Sequence, residues 1–310
     1  MNLLKTTFLF CLITIVGYSQ SKILFARKHG NDRGWSILSI DPNDSSEKTV
    51  IPYSSGMGEY NPDISPDGKT ILFNTYRYGG WKLAIHDLST TSTKKISHLS
   101  SYYTNGVFSP KGDMIVYEKN VGRNTHIFIA DKNGKNEVIL TKNMGQENRI
   151  PVWSADGRYI IFYSNKNGVN DIYSIALKSK KVTNLTNNIS GNDFAPSVSP
   201  DGKYIAFFSD RNGYLDLYRM DITGANQINL TNTLQSTYNR YNYYKDRNMY
   251  WRFKSSWSPD SSAIVFTNIT TDNFDLFITK IDGNDIQQIT NSSSSEYTPV
   301  WAILHSGIRE

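Results

Sequence analysis

One tight turn recurs along the chain: Ser65-Pro66-Asp67-Gly68, Ser109-Pro110-Lys111-Gly112, Ser154-Ala155-Asp156-Gly157, Ser199-Pro200-Asp201-Gly202 and Ser258-Pro259-Asp260-Ser261. Its serines are spaced 44, 45, 45 and 59 residues apart. A period in the forties, with a tight turn and several short apolar runs per unit, is the pattern of a propeller blade or a solenoid coil. The chain is therefore an array of one repeated unit.

The unit from Arg149 to Asn188 contains four strand-like runs: Ile150 to Ser154, Tyr159 to Ser164, Asp171 to Ala176 and Lys181 to Leu185. Asp-Gly suits a reverse turn, because Gly tolerates positive φ and Asp bonds its own backbone nearby. It joins the first two strands as a hairpin. The second strand returns as Ile71-Leu72-Phe73, Ile115-Val116-Tyr117, Ile205-Ala206-Phe207 and Ile264-Val265-Phe266, apolar at nearly every position. Such short continuous runs suit strands buried on both faces. No segment beyond the leader carries a helical period, so the class is all-β.

The two ends of the chain complement each other. Ile23-Leu24-Phe25 matches a second strand with no first strand before it, while Tyr297-Thr298-Pro299-Val300-Trp301-Ala302 copies the first-strand pattern Arg149-Ile150-Pro151-Val152-Trp153-Ser154. Joining the C-terminal strand to the N-terminal three makes a sixth blade and closes the ring, which removes the exposed edges of a linear array. The expectation is a single six-bladed β-propeller domain over residues 20–310, with roughly 48 residues per blade.

Residues 1–19 read as a secretory signal peptide: Lys5, an apolar run from Phe8 to Val16, then Gly17-Tyr18-Ser19 before the cut. The apolar run is too short to span a bilayer. The only cysteine, Cys11, lies in this leader, so the mature chain has neither a disulfide nor a thiol nucleophile. The net charge of +5 is scattered without a long cationic run, which argues against nucleic-acid or membrane partners. Asn-x-Thr triplets at Asn184 and Asn229 fall at equivalent points, where the fourth strand ends, and read as strand-end residues kept by repetition.

The unit Pro196-Ser197-Val198-Ser199-Pro200-Asp201-Gly202-Lys203-Tyr204-Ile205-Ala206-Phe207, with Ser209-Asp210-Arg211-Asn212-Gly213, Asp216-Leu217-Tyr218 and Asn229-Leu230-Thr231, resembles the TolB-type, WD-like propeller repeat. The resemblance runs over the whole mature chain and is to the propeller alone, without the α/β domain that TolB carries ahead of it. It implies a periplasmic or secreted, non-enzymatic, monomeric protein that binds an envelope or extracellular protein or peptide. The same repeat occurs in oligogalacturonate lyases, so the alternative it implies is a carbohydrate-binding or polysaccharide-degrading propeller.

First strands line the channel of a propeller, so the residues that open them should ring one mouth. Counting back from the turn serine, or from Ala302, the columns are Glu59-Tyr60, Tyr103-Thr104, Asn148-Arg149, Asp193-Phe194, Arg252-Phe253 and Glu296-Tyr297. We expect Glu59, Tyr60, Tyr103, Asn148, Arg149, Asp193, Phe194, Arg252, Glu296 and Tyr297 to form a recognition mouth, since Tyr, Phe and Arg are residue types that anchor interfaces. Strand capping and blade packing would explain the same columns. The long interval places an insertion at residues 234–254, at the same mouth, with Tyr238, Arg240, Tyr241, Tyr243, Tyr244 and Trp251 as candidate binding residues. Folded down, the insertion would instead act as a plug.

Catalytic machinery is absent from the pattern. There is no Gly-x-Ser-x-Gly elbow, and the five histidines show no metal-ligand spacing. No cofactor is expected beyond a calcium ion in the channel, held by Glu59 and Glu296 across adjacent blades.

Overall fold

The computed structural model describes residues 20–28, 34–96, 102–188, 190–232, 250–270 and 273–304. The leader and most of the insertion lie outside the described residues. All sheets are four-stranded and antiparallel. Strands β1 (Gln20–Lys28), β2 (Trp35–Ile40) and β3 (Glu47–Ile51) form blade one with the last strand, β24 (Glu296–Leu304), in the order β24-β1-β2-β3. Blade two is β4 (Glu59–Ile64), β5 (Thr70–Thr75), β6 (Lys82–Asp87) and β7 (Thr93–Lys95). Blade three is β8 (Tyr103–Phe108), β9 (Met114–Val121), β10 (Asn124–Asp131) and β11 (Val138–Ile139). Blade four is β12 (Asn148–Trp153), β13 (Tyr159–Ser164), β14 (Asp171–Ala176) and β15 (Val182–Asn184). Blade five is β16 (Asp193–Val198), β17 (Tyr204–Ser209), β18 (Asp216–Asp221) and β19 (Ile228–Asn229). Blade six is β20 (Ser255–Trp257), β21 (Ala263–Ile269), β22 (Phe274–Lys280) and β23 (Gln287–Gln288).

The first strands pack in the cycle β24, β4, β8, β12, β16, β20 and back to β24. That cycle is a closed ring, the six-bladed propeller expected from the repeat, with β24 joining the N-terminal three strands. The closing strand pairs with β1 from Gln20↔Leu304 to Arg27↔Glu296. Second strands carry the centre of each blade: Ile71, Phe73, Phe162, Phe207 and Ile264 are fully buried.

The repeated turn is held by its own side chains. Ser65 Oγ donates to Asp67 Oδ1 at 2.6 Å and accepts the Thr70 N–H at 2.9 Å, and Gly68 takes φ of +67°. The same arrangement returns at Ser154, Ser199 and Ser258. In blade three Lys111 occupies the aspartate position, and Asp113 supplies the carboxylate to Ser109 instead, at 2.8 Å.

The Asn-x-Thr triplets also have a structural task. Thr186 and Thr231 accept the N–H of Ile172 and Leu217 and donate to Asp171 and Asp216, while Asn184 and Asn229 donate to those same carboxylates. They tie the fourth strand to the third at the strand end.

Five of the six first strands carry a shared irregularity. Asn61, Asn105, Ile150, Ala195 and Thr298 all adopt φ between +47° and +52°. At four of them the pairing with the second strand slips within the same segment, between Tyr60 and Asp63, Thr104 and Val107, Arg149 and Val152, and Phe194 and Ser197. At the fifth, β1 shifts against β24 between Leu24 and Ala26. A bulge of this kind bends the strand and re-aims its side chains toward the channel. Blade six departs: β20 pairs with β21 in continuous register, and the equivalent residue is Lys254.

Candidate binding mouth

The first strands run from one face of the ring to the other, so their opening residues lie at the face that also carries the fourth-to-first and second-to-third connections. The residues expected to ring this mouth turn inward. Glu59, Asn148, Asp193, Phe194 and Glu296 are fully buried, and Tyr60, Tyr103 and Tyr297 nearly so. Of the ten, Arg149 and Arg252 alone keep partial exposure.

The reason is a set of contacts within each blade. Arg77 donates to Glu59 at 2.8 Å, Arg211 to Asp193 at 2.8 Å and Arg27 to Glu296 at 2.7 Å. Each arginine lies in or just beyond the second strand. Asn148 is tied without charge, accepting from Ser164 of its own blade and donating to the carbonyls of Thr125 in blade three and of Gly145 in the connection between them. Burial pushes the carboxyls of Asp193 and Glu296 upward, with Arg211 and Arg27 opposing it.

The aromatic members pack between blades. The Tyr60 ring lies 5.2 Å from Trp35 and 6.1 Å from Tyr297, and Tyr297 lies 5.0 Å from Phe274. Arg252 donates to the Tyr297 hydroxyl at 2.7 Å and stacks its guanidinium 5.3 Å over the same ring. Tyr103 is covered by Tyr117 and by the Lys119 ammonium, 5.1 Å over its ring.

The insertion residues Tyr238, Arg240, Tyr241, Tyr243 and Tyr244 lie outside the described residues. Its end is described as a 3-10 turn, Tyr250–Arg252, which contains Trp251. There Tyr250 packs its ring 4.5 Å from Phe194. The described end of the insertion thus packs against the first strand of blade five.

Glu59 and Glu296 are the acids expected to face one another across adjacent blades. Each is engaged by an arginine of its own blade, and among the described residues no three His, Cys, Asp or Glu side chains form a group able to hold a metal.

What the mouth does offer is a cavity of 200 Å³ between blades two, three and four. Its apolar side is Met57, Tyr60 and Trp81, and its polar side includes Asn61, Glu118 and Arg149. Trp81 is fixed by Tyr76, edge-on at 5.3 Å, and by Trp35 at 6.2 Å. A hydrogen-bonded chain forms the polar side. Asn61 donates to Asn105 at 2.6 Å, Asn105 to Glu118 Oε1 at 2.6 Å, and the Ile150 N–H to that same oxygen. Glu118 Oε2 accepts from Thr104 at 3.1 Å and faces Arg149 at 3.5 Å. The Asn61 carbonyl oxygen is buried and has no hydrogen-bond partner among the described residues. A buried acceptor left unmade is costly to the fold.

Exposed apolar side chains lie on the same face as this cavity. Tyr53 and Met57 lie in the connection from β3 to β4, Tyr102 just before β8, and Tyr214 between β17 and β18, with exposures from 36% to 54%. Sequence reasoning passed over Met57, Trp81, Asn61 and Glu118. The two asparagines, Asn61 and Asn105, four residues before their turn serines, were the signal available for the polar side.

The TolB beta propeller domain model matches residues 21–168 and 143–253, most of the chain. The chain belongs to the TolB β-propeller family. Among solved structures, TolB from Acinetobacter baumannii aligns with a TM-score of 0.77 at 21% identity, covering 92% of this chain and 67% of that one. A putative TolB from Agrobacterium tumefaciens aligns at 0.67 and 19% identity, covering 91% and 98%. The same fold appears in a structure of a nidogen/laminin complex, at 0.69 and 9% identity, covering 91% and 98%. At these identities the structural likenesses speak for the fold alone. No curated protein sequence matches the chain significantly. As a TolB-family propeller the chain has a scaffold that hosts many activities, so its function has to be argued from the mouth. Among the described residues no helix is long and apolar enough to cross a membrane.

Proposed function

We propose that this chain is a non-enzymatic binding propeller of the periplasm or the extracellular space, which takes a protein or peptide partner at the mouth where its first strands begin. The observation that carries the reading is the mouth cavity itself: an aromatic wall of Tyr60 and Trp81, an unsatisfied buried acceptor at Asn61, and Arg149, whose side chain is 33% exposed. Rigid aromatics beside a guanidinium, rimmed by exposed Tyr53, Met57 and Tyr102, are the residue types that dominate protein interfaces. The location is supported by the leader-like residues 1–19 and by kinship with TolB.

Trp81→Ala and Arg149→Glu test the reading. Each is expected to weaken capture of the partner from envelope extract at least about tenfold, since hot-spot truncations cost about 2 kcal/mol or more, while thermal unfolding stays cooperative. Partner capture unchanged in both variants would contradict it. The Trp35, Tyr60 and Trp81 cluster also suits stacking against a sugar face. Saturable oligosaccharide binding that depends on Trp81, with no protein captured, would favour that second reading.

A further inference from the structure

The opposite end of the channel holds a separate cavity of 370 Å³, a volume in the range of small-molecule sites. It shares no lining residue with the mouth cavity. All six first strands contribute to it. Its wall is apolar, built from Val107, Val152, Val198 and Val300 with Trp153 and Trp257. Both indoles are locked, Trp153 donating to the Val107 carbonyl and Trp257 to the Ser197 carbonyl, each at 3.2 Å.

Into this apolar funnel the ring places one cation. Lys254 is 6% exposed, and its ammonium has no hydrogen-bond or ion-pair partner among the described residues. The residue is peculiar to its blade. Equivalent positions hold Asn61, Asn105, Ile150, Ala195 and Thr298, so the scaffold accepts neutral side chains of several sizes there. A largely buried ammonium with no direct partner is unfavourable to the folded state. Closing the ring does not require it, and a ligand that completes its three donors would relieve the cost.

Asp63 also lines the funnel, where its Oδ2 accepts the Phe108 N–H at 2.8 Å, beyond ion-pair reach of Lys254. Burial raises the Asp63 carboxyl to about 6 and lowers the Lys254 ammonium; Asp63 and, from blade three, Glu118 both favour the charged ammonium, and Lys254 favours the ionised Asp63. With two carboxylates acting on the single ammonium, a dianionic phosphate would be repelled more strongly than a monoanion, and the walls carry no arginine fork. A monoanion with an apolar body is the anion that a single ammonium and a mostly apolar lining suit best.

We propose that the funnel binds a small organic carboxylate, its carboxylate paired with the Lys254 ammonium and its apolar body held between Trp153, Trp257 and the ring of valines. This site shares no lining residue with the mouth cavity, and the proposal does not rest on the partner proposed there.

3-Phenylpropionate is a direct probe, with 3-phenylpropanamide as its uncharged counterpart, and tryptophan fluorescence is the readout because two of the lining residues are indoles. The expected result is a saturable change with the acid, at least about tenfold weaker with the amide, and weakened by a similar factor in Lys254→Met, which keeps the apolar stem. No saturable response to the acid, equal affinity for acid and amide, or undiminished binding in Lys254→Met would each overturn the proposal. Should Lys254→Met fail to fold, the acid and amide comparison in the unaltered protein decides.

Discussion

A chain ending at Ser295 is expected to lose the cooperative unfolding transition of the full-length protein. The deletion removes β24, which supplies the first strand of blade one and packs against the first strands of blades two and six. Burial of Tyr297 and Val300 alone contributes about 3–6 kcal/mol. The total stability of a domain is only about 5–15 kcal/mol. The loss reaches further than those side chains, because β1 becomes an unpaired edge and the ring opens between its first and last blades. Circular dichroism on heating and size-exclusion chromatography measure the effect. A truncated chain that melts cooperatively within a few degrees of the parent would show that closure by β24 is not what holds the ring.

The second large effect is expected from Arg27→Met. Arg27 joins the two ends of the chain, donating to buried Glu296 on β24 and, through its two terminal nitrogens, to both oxygens of Glu47 on β3. Removing one partner of a buried pair strands the other charge, at a cost of about 3 kcal/mol. The pH dependence has a definite sign. Burial raises the folded-state pKa of Glu296 from the ordinary 4.5 to about 7. Between those values the native state holds a proton that the unfolded chain releases, so its contribution to stability falls as pH rises through that window. Without Arg27 the carboxyl titrates higher still. The deficit of Arg27→Met is therefore expected to be smaller at pH 5, where Glu296 is neutral and only the contact with Glu47 is lost, and larger at pH 8. Urea melts of both proteins at the two pH values measure it, and a deficit that is equal at both, or below about 1 kcal/mol at pH 8, would contradict this role for Arg27.

The architecture was legible because its signals are local and repeated. Ser-Pro-Asp-Gly and its variants mark a hairpin wherever they occur, and Tyr297 to Ala302 copies the strand before the turn at Ser154 closely enough to reveal ring closure. Even the departure at Lys111 left the turn intact, since Asp113 was within reach of Ser109.

The mouth was less legible. Acids opening the first strands looked like ligand groups because their partners lie a strand away: Arg77 is 18 residues beyond Glu59, and Arg211 is 18 residues beyond Asp193. That repeated spacing is visible in the sequence once the pairing is known. The left-handed residue of the first strand was hidden more deeply. Asparagine suits such a conformation, but Ile150 and Thr298 are β-branched and give no hint of it. The mouth cavity draws Trp81, Asn61, Glu118 and Arg149 from three blades, and only the ring brings them together. Lys254 stood in plain sight as the odd member of its column, and its burial depends on the channel that five other strands complete.

The central claim, that a partner is engaged at the mouth formed where the first strands begin, is tested most directly by site-specific photo-crosslinking. A photoreactive residue replaces Met57, on the rim of the mouth cavity, and in a second protein Tyr159, exposed on the opposite face beside the turn at Ser154. The account predicts a discrete adduct from position 57, abolished by Arg149→Glu in the same chain, and none from position 159. Adducts from position 159 alone, or equally from both positions and insensitive to Arg149, would contradict it.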